Sequence, residues 1–272
     1  MIEARHIKKD FSVLSWRKAK KNNSMVIDDF SMRIPSGKVT GLLGVNGAGK
    51  TTLIKILTSL LKPTEGVVLW NGKDIESCLS EYRSVVNIVN GGTTNLYQRL
   101  TGRQNLRFFG SLYKIPKLIL NERITSLLNL VGLDQHADKK VETYSTGMVQ
   151  RLQLAKGLIN QPSFIFLDEP TLGMDLITKA KFKNIVQTLT RENNTGIVLT
   201  THLIEEAETL CSNIYLISQG KNYLSGSPDK LKRELNSERI FKIYFDSSAH
   251  NISILSKSPV IKITENTYCV TV

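Results

Sequence analysis

Long apolar runs are missing from this 272-residue chain. None approaches the roughly 18 residues that a membrane span requires, and the most apolar stretch, "LIKILTSLL", is short and carries Lys55. The N-terminal "MIEARHIKKDF" lacks the apolar core of a secretory signal. Cysteine is scarce. Cys78, Cys211 and Cys269 lie too far apart for a CxxC metal or redox motif, and an odd count closes no disulfide framework. A reducing, cytoplasmic setting is therefore expected, with no span of the chain's own. Internal repeats and low-complexity segments are also lacking. What remains is a globular composition, 41% hydrophobic and 22% charged, long enough for one large α/β domain and a small appendage.

Acidic residues are in deficit, and the net charge is +12. Much of the excess is local: Arg5, Lys8, Lys9, Arg17, Lys18, Lys20 and Lys21 face only Glu3 and Asp10 within the first 25 residues. Nucleic acid, anionic lipid headgroups and plain solvation of the "WRKAKK" run all fit this pattern. Charge alone does not decide among them.

Short β-type runs alternate with helical segments. "MVIDDFSMRI", "KVTGLLG", "GVVLWNG" and "SVVNIVN" read as strands. "TTLIKILTSLL" reads as a helix with Leu53, Ile56, Leu57 and Leu60 on one side. From about residue 95 to residue 160 the pattern turns helical, with "RQNLRFFGSLY" and "ITSLLNLVGL", before strand signals return at "FIFLD", "GIVLTTH" and "NIYLIS". That order predicts an α/β nucleotide-binding core over residues 1–236 with a helical insertion. Residues 237–272 read as a small α/β appendage, with strands in "ERIFKIYFD", "PVIKITEN" and "TYCVTV" and with "AHNISILSK" between the first two. The chain stops inside a strand-like run, which implies an incomplete appendage.

"GLLGVNGAGKTTL" contains G-x-x-x-x-G-K-[ST], with Gly44, Gly49, Lys50 and Thr51 at the fixed positions. Glycines at 44, 47 and 49 let successive backbone N–H groups curl around a phosphate. Lys50 can then reach the terminal phosphates, Thr51 offers a hydroxyl to Mg²⁺, and the following helix adds its positive end. "FIFLDEP" delivers Asp168 and Glu169 at the end of an apolar strand, where open α/β sheets bind ligands. Alone, such a pair is a solvated strand end. Beside a phosphate loop, Asp168 suits Mg²⁺, directly or through water, and Glu169 can orient or deprotonate an attacking water. His202 ends "GIVLTTH" in the same way; a lone histidine is usually structural, and this one becomes a candidate γ-phosphate contact by its position. "YSTGMVQRL" adds a second helix start: Ser145 and Thr146 can cap it, Gly147 frees the backbone, and Leu152, Ala155 and Leu158 follow at helical spacing. A helix N-terminus is itself an anion site.

As a set, these residues resemble the ATP-binding subunit of ABC transporters over about residues 1–230, and the exporter-like branch with a separate membrane subunit in particular. "GVNGAGKT" is similar to the Walker A motif, "YSTGM" to the family signature, "FIFLDE" to Walker B, "TLGMD" to the D-loop, and His202 to the switch histidine. The resemblance implies a P-loop ATPase fold and ATP with Mg²⁺ as cofactors. It implies a nucleotide site built from Gly44, Val45, Asn46, Gly47, Ala48, Gly49, Lys50, Thr51 and Thr52, with Phe11 stacking on adenine and Trp16 as its competitor. Thr51 and Asp168 would hold the metal, and Glu169, His202 and Lys50 would be catalytic. Two subunits, either identical or homologous, would pack head to tail, so that Ser145 and Gly147 meet the γ-phosphate held by the partner and Asp175 lies near the seam. The other implied partner is an integral membrane permease, served for export from the cytoplasmic face of the membrane. Anionic lipid contact through the basic run fits this setting, and nucleic acid is not expected.

The chain departs from the family at Tyr144, Thr146 and Met148 of the signature, while Ser145 and Gly147 are kept. An ungapped placement puts Gly92 where the family has a glutamine, and Gln98 falls six residues late. Two other readings compete. A soluble ABC-type ATPase acting on nucleic acid would suit the charge, but paired ATPase units, a long coiled coil and a cysteine zinc module are missing. A GTPase-like switch would need an Asn-Lys-x-Asp motif, which "NGKD" at 71–74 does not match.

Overall fold

Three sheets organise the residues described by the computed structural model, which are 1–11, 25–90, 96–235, 240–244, 260–264 and 267–271. Trp16, the basic run with Lys18, Lys20 and Lys21, Gly92 and the segment "AHNISILSK" lie outside them. The chain divides into a unit of Met1–Ser227 and a unit of Pro228–Val272. The sequence-based division at Ser237 stands nine residues later than this one, so the helix Pro228–Leu235 counts with the second unit.

The first unit opens with β1 (Ile2–Asp10), β2 (Met25–Ile34) and β3 (Val39–Leu43), followed by α1 (Lys50–Leu57), β4 (Glu65–Trp70) and β5 (Lys73–Asp74). Next come α2 (Leu79–Val85), β6 (Val86–Asn90), α3 (Gly102–Leu112), α4 (Lys117–Leu130) and α5 (Thr146–Gly157). It closes with β7 (Phe164–Asp168), α6 (Leu176–Arg191), β8 (Gly196–Thr201), α7 (Ile204–Leu210), β9 (Asn213–Ser218) and β10 (Lys221–Gly226).

The central sheet runs β10-β9-β3-β8-β7-β6 and is parallel apart from β10. Parallel strands are covered on both faces and read as continuous apolar runs. Phe164 to Leu167 and Gly196 to Thr201 are buried without alternation, as that rule requires. An antiparallel sheet, β2-β1-β4-β5, supplies Ile2, Ile7, Phe30 and Ile34 to the same core that receives Leu53, Ile56 and Leu57 from α1. The expected α/β class is found, with α3, α4 and α5 in succession between β6 and β7.

Two boundaries differ from the sequence reading. Helix α1 stops at Leu57 because Thr58 turns its hydroxyl back to the Ile54 carbonyl at 2.8 Å and Ser59 enters the left-handed region at φ 59°. Leu60, expected on the buried side, is 64% exposed. Strand β6 starts at Val86 rather than Ser84, since Ser84 and Val85 complete α2.

The second unit contains α8 (Pro228–Leu235) and an antiparallel sheet of β11 (Ile240–Tyr244), β12 (Val260–Thr264) and β13 (Thr267–Thr271), in the order β11-β13-β12. Its three strands match the three β-type runs of the sequence, with Ile240 opposite Thr271 and Val260 opposite Val270.

Candidate active site

Strands β3, β8 and β7 lie side by side, and each delivers chemistry at its C-terminal end. The phosphate loop follows β3, Asp168 ends β7, and Thr200 pairs with Asp168 across the parallel ladder. This is the edge at which open α/β sheets receive ligands. A cleft of about 510 Å³ opens there, lined by Val26, Asn46, Gly47, Gly49, Lys50, Thr51, Thr52, Asn90, Asp168, Glu169 and Leu172.

The loop's form follows from its glycines. Gly49 sits at φ 107°, a region that L side chains rarely adopt, and a Cβ there would come within 2.6 Å of Ile27 Cδ1. It precedes α1 without a side-chain cap, and the first turn of α1 carries no acid. The orphan N–H groups and the positive helix end are thereby left for an anion. Lys50 is 6% exposed, and its ammonium donates to the Gly44 carbonyl at 2.7 Å and the Val45 carbonyl at 3.2 Å. Gly44, Val45 and Ala48 stand apart from the lining residues. Ala48 is buried, Val45 points to solvent, and a Cβ on Gly44 would meet the Ile217 carbonyl at 2.5 Å.

Successive strand residues point to opposite faces, so Asp168 and Glu169 could not share a pocket if β7 simply continued. Glu169 breaks the alternation at φ 48°. Non-glycine residues held there store of order 1–3 kcal/mol of strain and cluster at functional sites. The turn is fixed by the Glu169 N–H, which donates to Thr200 Oγ1 at 2.9 Å and to the Thr200 carbonyl at 3.2 Å. It brings Glu169 Oε1 to 3.8 Å from Lys50 Nζ and 3.5 Å from His202 Nδ1. Asp168 is held on both oxygens: Thr200 Oγ1 donates to Oδ1 at 2.6 Å, and Thr51 Oγ1 donates to Oδ2 at 3.1 Å.

The remaining sequence-derived candidates lie outside this cleft. Phe11 follows β1, is 48% exposed, and has Lys9 Nζ 5.1 Å from its ring centroid; the large apolar residues lining the cleft are Val26 and Leu172 instead. Ser145 caps α5 by accepting from the Met148 N–H at 3.3 Å, and the first turn of α5 carries no acid. Gly147 is half-buried against Thr178. Asp175 caps α6, accepting from the Thr178 N–H at 2.7 Å, a bond that lowers its carboxyl pKa below the ordinary value. The signature's Tyr144 has a structural reason: its hydroxyl donates to the His136 carbonyl at 2.7 Å, in space that Gly102 leaves open. Gln98 is exposed away from the cleft, and Asn90, opposite Asp168 on β6, lines it. Sequence reasoning missed Asn90 and Thr200; the polar ends of "SVVNIVN" and "GIVLTTH" were the available signal.

A phosphate loop at a helix start, facing two successive carboxylates at the end of β7 in the same parallel sheet, defines a P-loop nucleoside triphosphatase. The ABC transporter family profile matches residues 27–172. The ABC transporter ATP-binding protein NatA of Bacillus subtilis is 34% identical over 234 residues, covering 86% of this chain and 95% of that one. Daunorubicin resistance ATP-binding protein DrrA3 of Streptomyces coeruleorubidus is 37% identical over 214 residues, covering 79% and 67%. The structure of cbiO1 from Clostridium perfringens, part of the ABC transporter complex cbiONQ, superposes with a TM-score of 0.76 at 25% identity, covering 86% of this chain and 91% of that one. The chain belongs to the ABC transporter family, as an ATP-binding subunit with ATPase activity.

Proposed function

We propose that this chain works at the cytoplasmic face of the membrane and drives export through a separate integral membrane permease. Two ATP-binding subunits, taken as two copies of this chain, close head to tail over two ATP molecules. One observation carries the reading: the cleft unites Lys50, Thr51, Asp168 and Glu169, while the capped turn of Ser145 and Gly147 stands outside it. Each half-site lacks what the other copy offers. Val45, Leu172, Leu203 and Ile204 are exposed on the segments bordering the cleft, and they suit burial by a partner.

Within a site, Lys50 transfers its donors from the loop carbonyls to the terminal phosphates. Thr51 Oγ1 and Asp168 Oδ2 are hard oxygens 3.1 Å apart, and they fit Mg²⁺, which takes one or two carboxylates together with substrate phosphates. The metal, when bound, neutralises charge developing on the phosphoryl oxygens. Glu169 orients the attacking water and accepts its proton, and His202 contacts the γ-phosphate. Phe11 stacks on adenine by movement of the segment after β1. Ser145 and Gly147 present the α5 N-terminus to the partner's γ-phosphate, and Asp175 lies at the seam. Binding closes the dimer, and hydrolysis with product release reopens it, which couples chemistry to the permease.

Among the described residues no helix is long and apolar enough to cross a membrane, and the proposed reading assigns the transport path to a separate permease. Affinity purification from detergent-solubilised membranes tests this: a polytopic membrane protein should co-purify and raise the ATPase rate. Nanomolar, salt-sensitive DNA binding without membrane recruitment would favour the nucleic-acid reading instead. The basic run adds a lipid contact to the proposal. Charge reversal of Lys18, Lys20 and Lys21 should weaken binding to anionic liposomes and leave soluble hydrolysis intact, at about 1 kcal/mol per lysine.

A further inference from the structure

Strand β8 ends in two successive threonines with different tasks. Thr201 Oγ1 accepts from the Leu203 N–H at 3.0 Å and shapes the turn that carries His202. Thr200 is 0% exposed, and its hydroxyl is used twice, as donor to Asp168 Oδ1 at 2.6 Å and as acceptor from the Glu169 N–H at 2.9 Å. A hydroxyl has one proton to give and lone pairs to receive, so this one side chain meets both carboxylate-bearing residues at once. Thr40, on neighbouring β3, is also fully buried, and its hydroxyl has no partner. Filling a buried strand position therefore does not by itself produce such contacts.

We propose that Thr200 is a positioning residue for hydrolysis, setting the two carboxylates in relation to each other. Its bond to Oδ1 fixes the plane of the Asp168 carboxylate, so that Oδ2 faces Thr51. Its bond from the Glu169 N–H pins the left-handed turn that aims the Glu169 carboxylate back into the cleft beside Lys50 and His202. Thr200 is fully buried and is not among the residues lining the cleft, so its role runs through the two acids. The inference rests on the proposed reading of Asp168 as the metal-side carboxylate and Glu169 as the base.

Thr200→Val tests it, because valine keeps the β-branched volume and removes only the hydroxyl. Partners that orient metal-side ligands typically cost about 10–100-fold in activity or metal affinity when lost. We expect kcat to fall within that range while KM for ATP changes far less. In a second readout, the gain in affinity for a fluorescent ATP analogue on adding Mg²⁺ should shrink, with metal-free affinity unchanged. Thr200→Ser, which restores the hydroxyl, should recover both. Wild-type kcat and Mg²⁺ response in Thr200→Val would overturn the inference, and so would equal losses in the serine and valine variants, since volume would then be the cause. If valine prevents folding, Thr200→Ala against Thr200→Ser decides on the same split. Asp168→Asn and Glu169→Gln, measured alongside, separate the two levels. Wild-type hydrolysis in either removes the underlying site reading. Losses in both, with Thr200→Val unaffected, remove only the role of Thr200.

Discussion

The Lys50 ammonium is buried among the carbonyls of its own loop, and its other neighbour is the Glu169 carboxylate at 3.8 Å. Lys50→Ala should weaken nucleotide binding and reduce hydrolysis by about 10²–10³-fold, as removal of one preorganised electrostatic donor does elsewhere. Glu169→Gln keeps size and hydrogen-bonding capacity but cannot take a proton. It should bind ATP normally while kcat drops by about 10²–10⁴-fold, and near-normal turnover would remove Glu169 as the base. A second residue-scale expectation concerns the thiols. Burial, followed by the charge of Glu206, pushes the Cys211 thiol up to about 12, from an ordinary value of 9.0. The raised value keeps Cys211 protonated at pH 8, and thiols react as thiolates. Mass mapping after brief maleimide treatment of the native protein should find half-buried Cys78 modified and Cys211 intact; comparable labelling of Cys211 would contradict its environment. What was legible at this scale is what is local in sequence. The spacing from Gly44 to Thr51 and the adjacency of Asp168 and Glu169 could be read directly. Thr200 could not, because its meaning depends on the pairing of β7 with β8, 32 residues away.

Elements were legible where apolar pattern and turn chemistry agree, and obscure where charge or irregularity interrupts the pattern. β7 and β8 announce themselves as buried runs. β1 does not: it carries Glu3, Arg5, His6, Lys8, Lys9 and Asp10, and its register shifts between Ala4 and Ile7 and again toward Asp10, with His6 at φ 50°. Its buried apolar residues, Ile2, Ala4 and Ile7, therefore lose the two-residue period that marks a strand. The helical insertion was recognisable, but the device that fixes its entry was not. Fully buried Asn105 accepts from the Tyr97 N–H at 2.8 Å and donates to the Tyr97 and Thr101 carbonyls, each at 3.0 Å. It thus ties the approach segment to α3, whose start is also closed by reciprocal bonds between Thr101 and Gln104. Asn105→Ala strands several buried backbone groups and opens a small cavity, so a loss of roughly 2–4 kcal/mol is expected. Urea unfolding should show a lower midpoint at an unchanged slope. A midpoint within error of wild type would mean that water satisfies those groups equally well.

At the scale of the whole molecule, the two anion-directed helix starts pose one question: whether α1 and α5 act on the same phosphate in different subunits. Ser145 and Gly147 do not line the cleft of their own chain. Gly147 can be changed without disrupting the fold, since its backbone is helical and a Cβ there meets nothing nearer than Thr178 Cγ2 at 3.4 Å. Gly147→Asp then sets a negative charge at the positive end of α5, where repulsion of phosphate replaces attraction. Homodimers of Lys50→Ala and of Gly147→Asp should each be inactive, the first for want of its phosphate cation and the second because α5 repels the partner's ATP. In a mixed dimer, one composite site carries both lesions, and the other pairs an intact phosphate loop with an intact α5 start. Hydrolysis should return on mixing, to at most about half the wild-type rate per dimer if the sites act independently. Because strict cooperativity would silence the intact site, ATP-dependent dimerisation should be followed in the same mixture by light scattering. Recovery of dimers in the mixture, absent from either protein alone, reports the same complementarity without requiring turnover. Normal hydrolysis by Gly147→Asp dimers would sink the arrangement in trans and leave "YSTGM" as no more than the cap of α5.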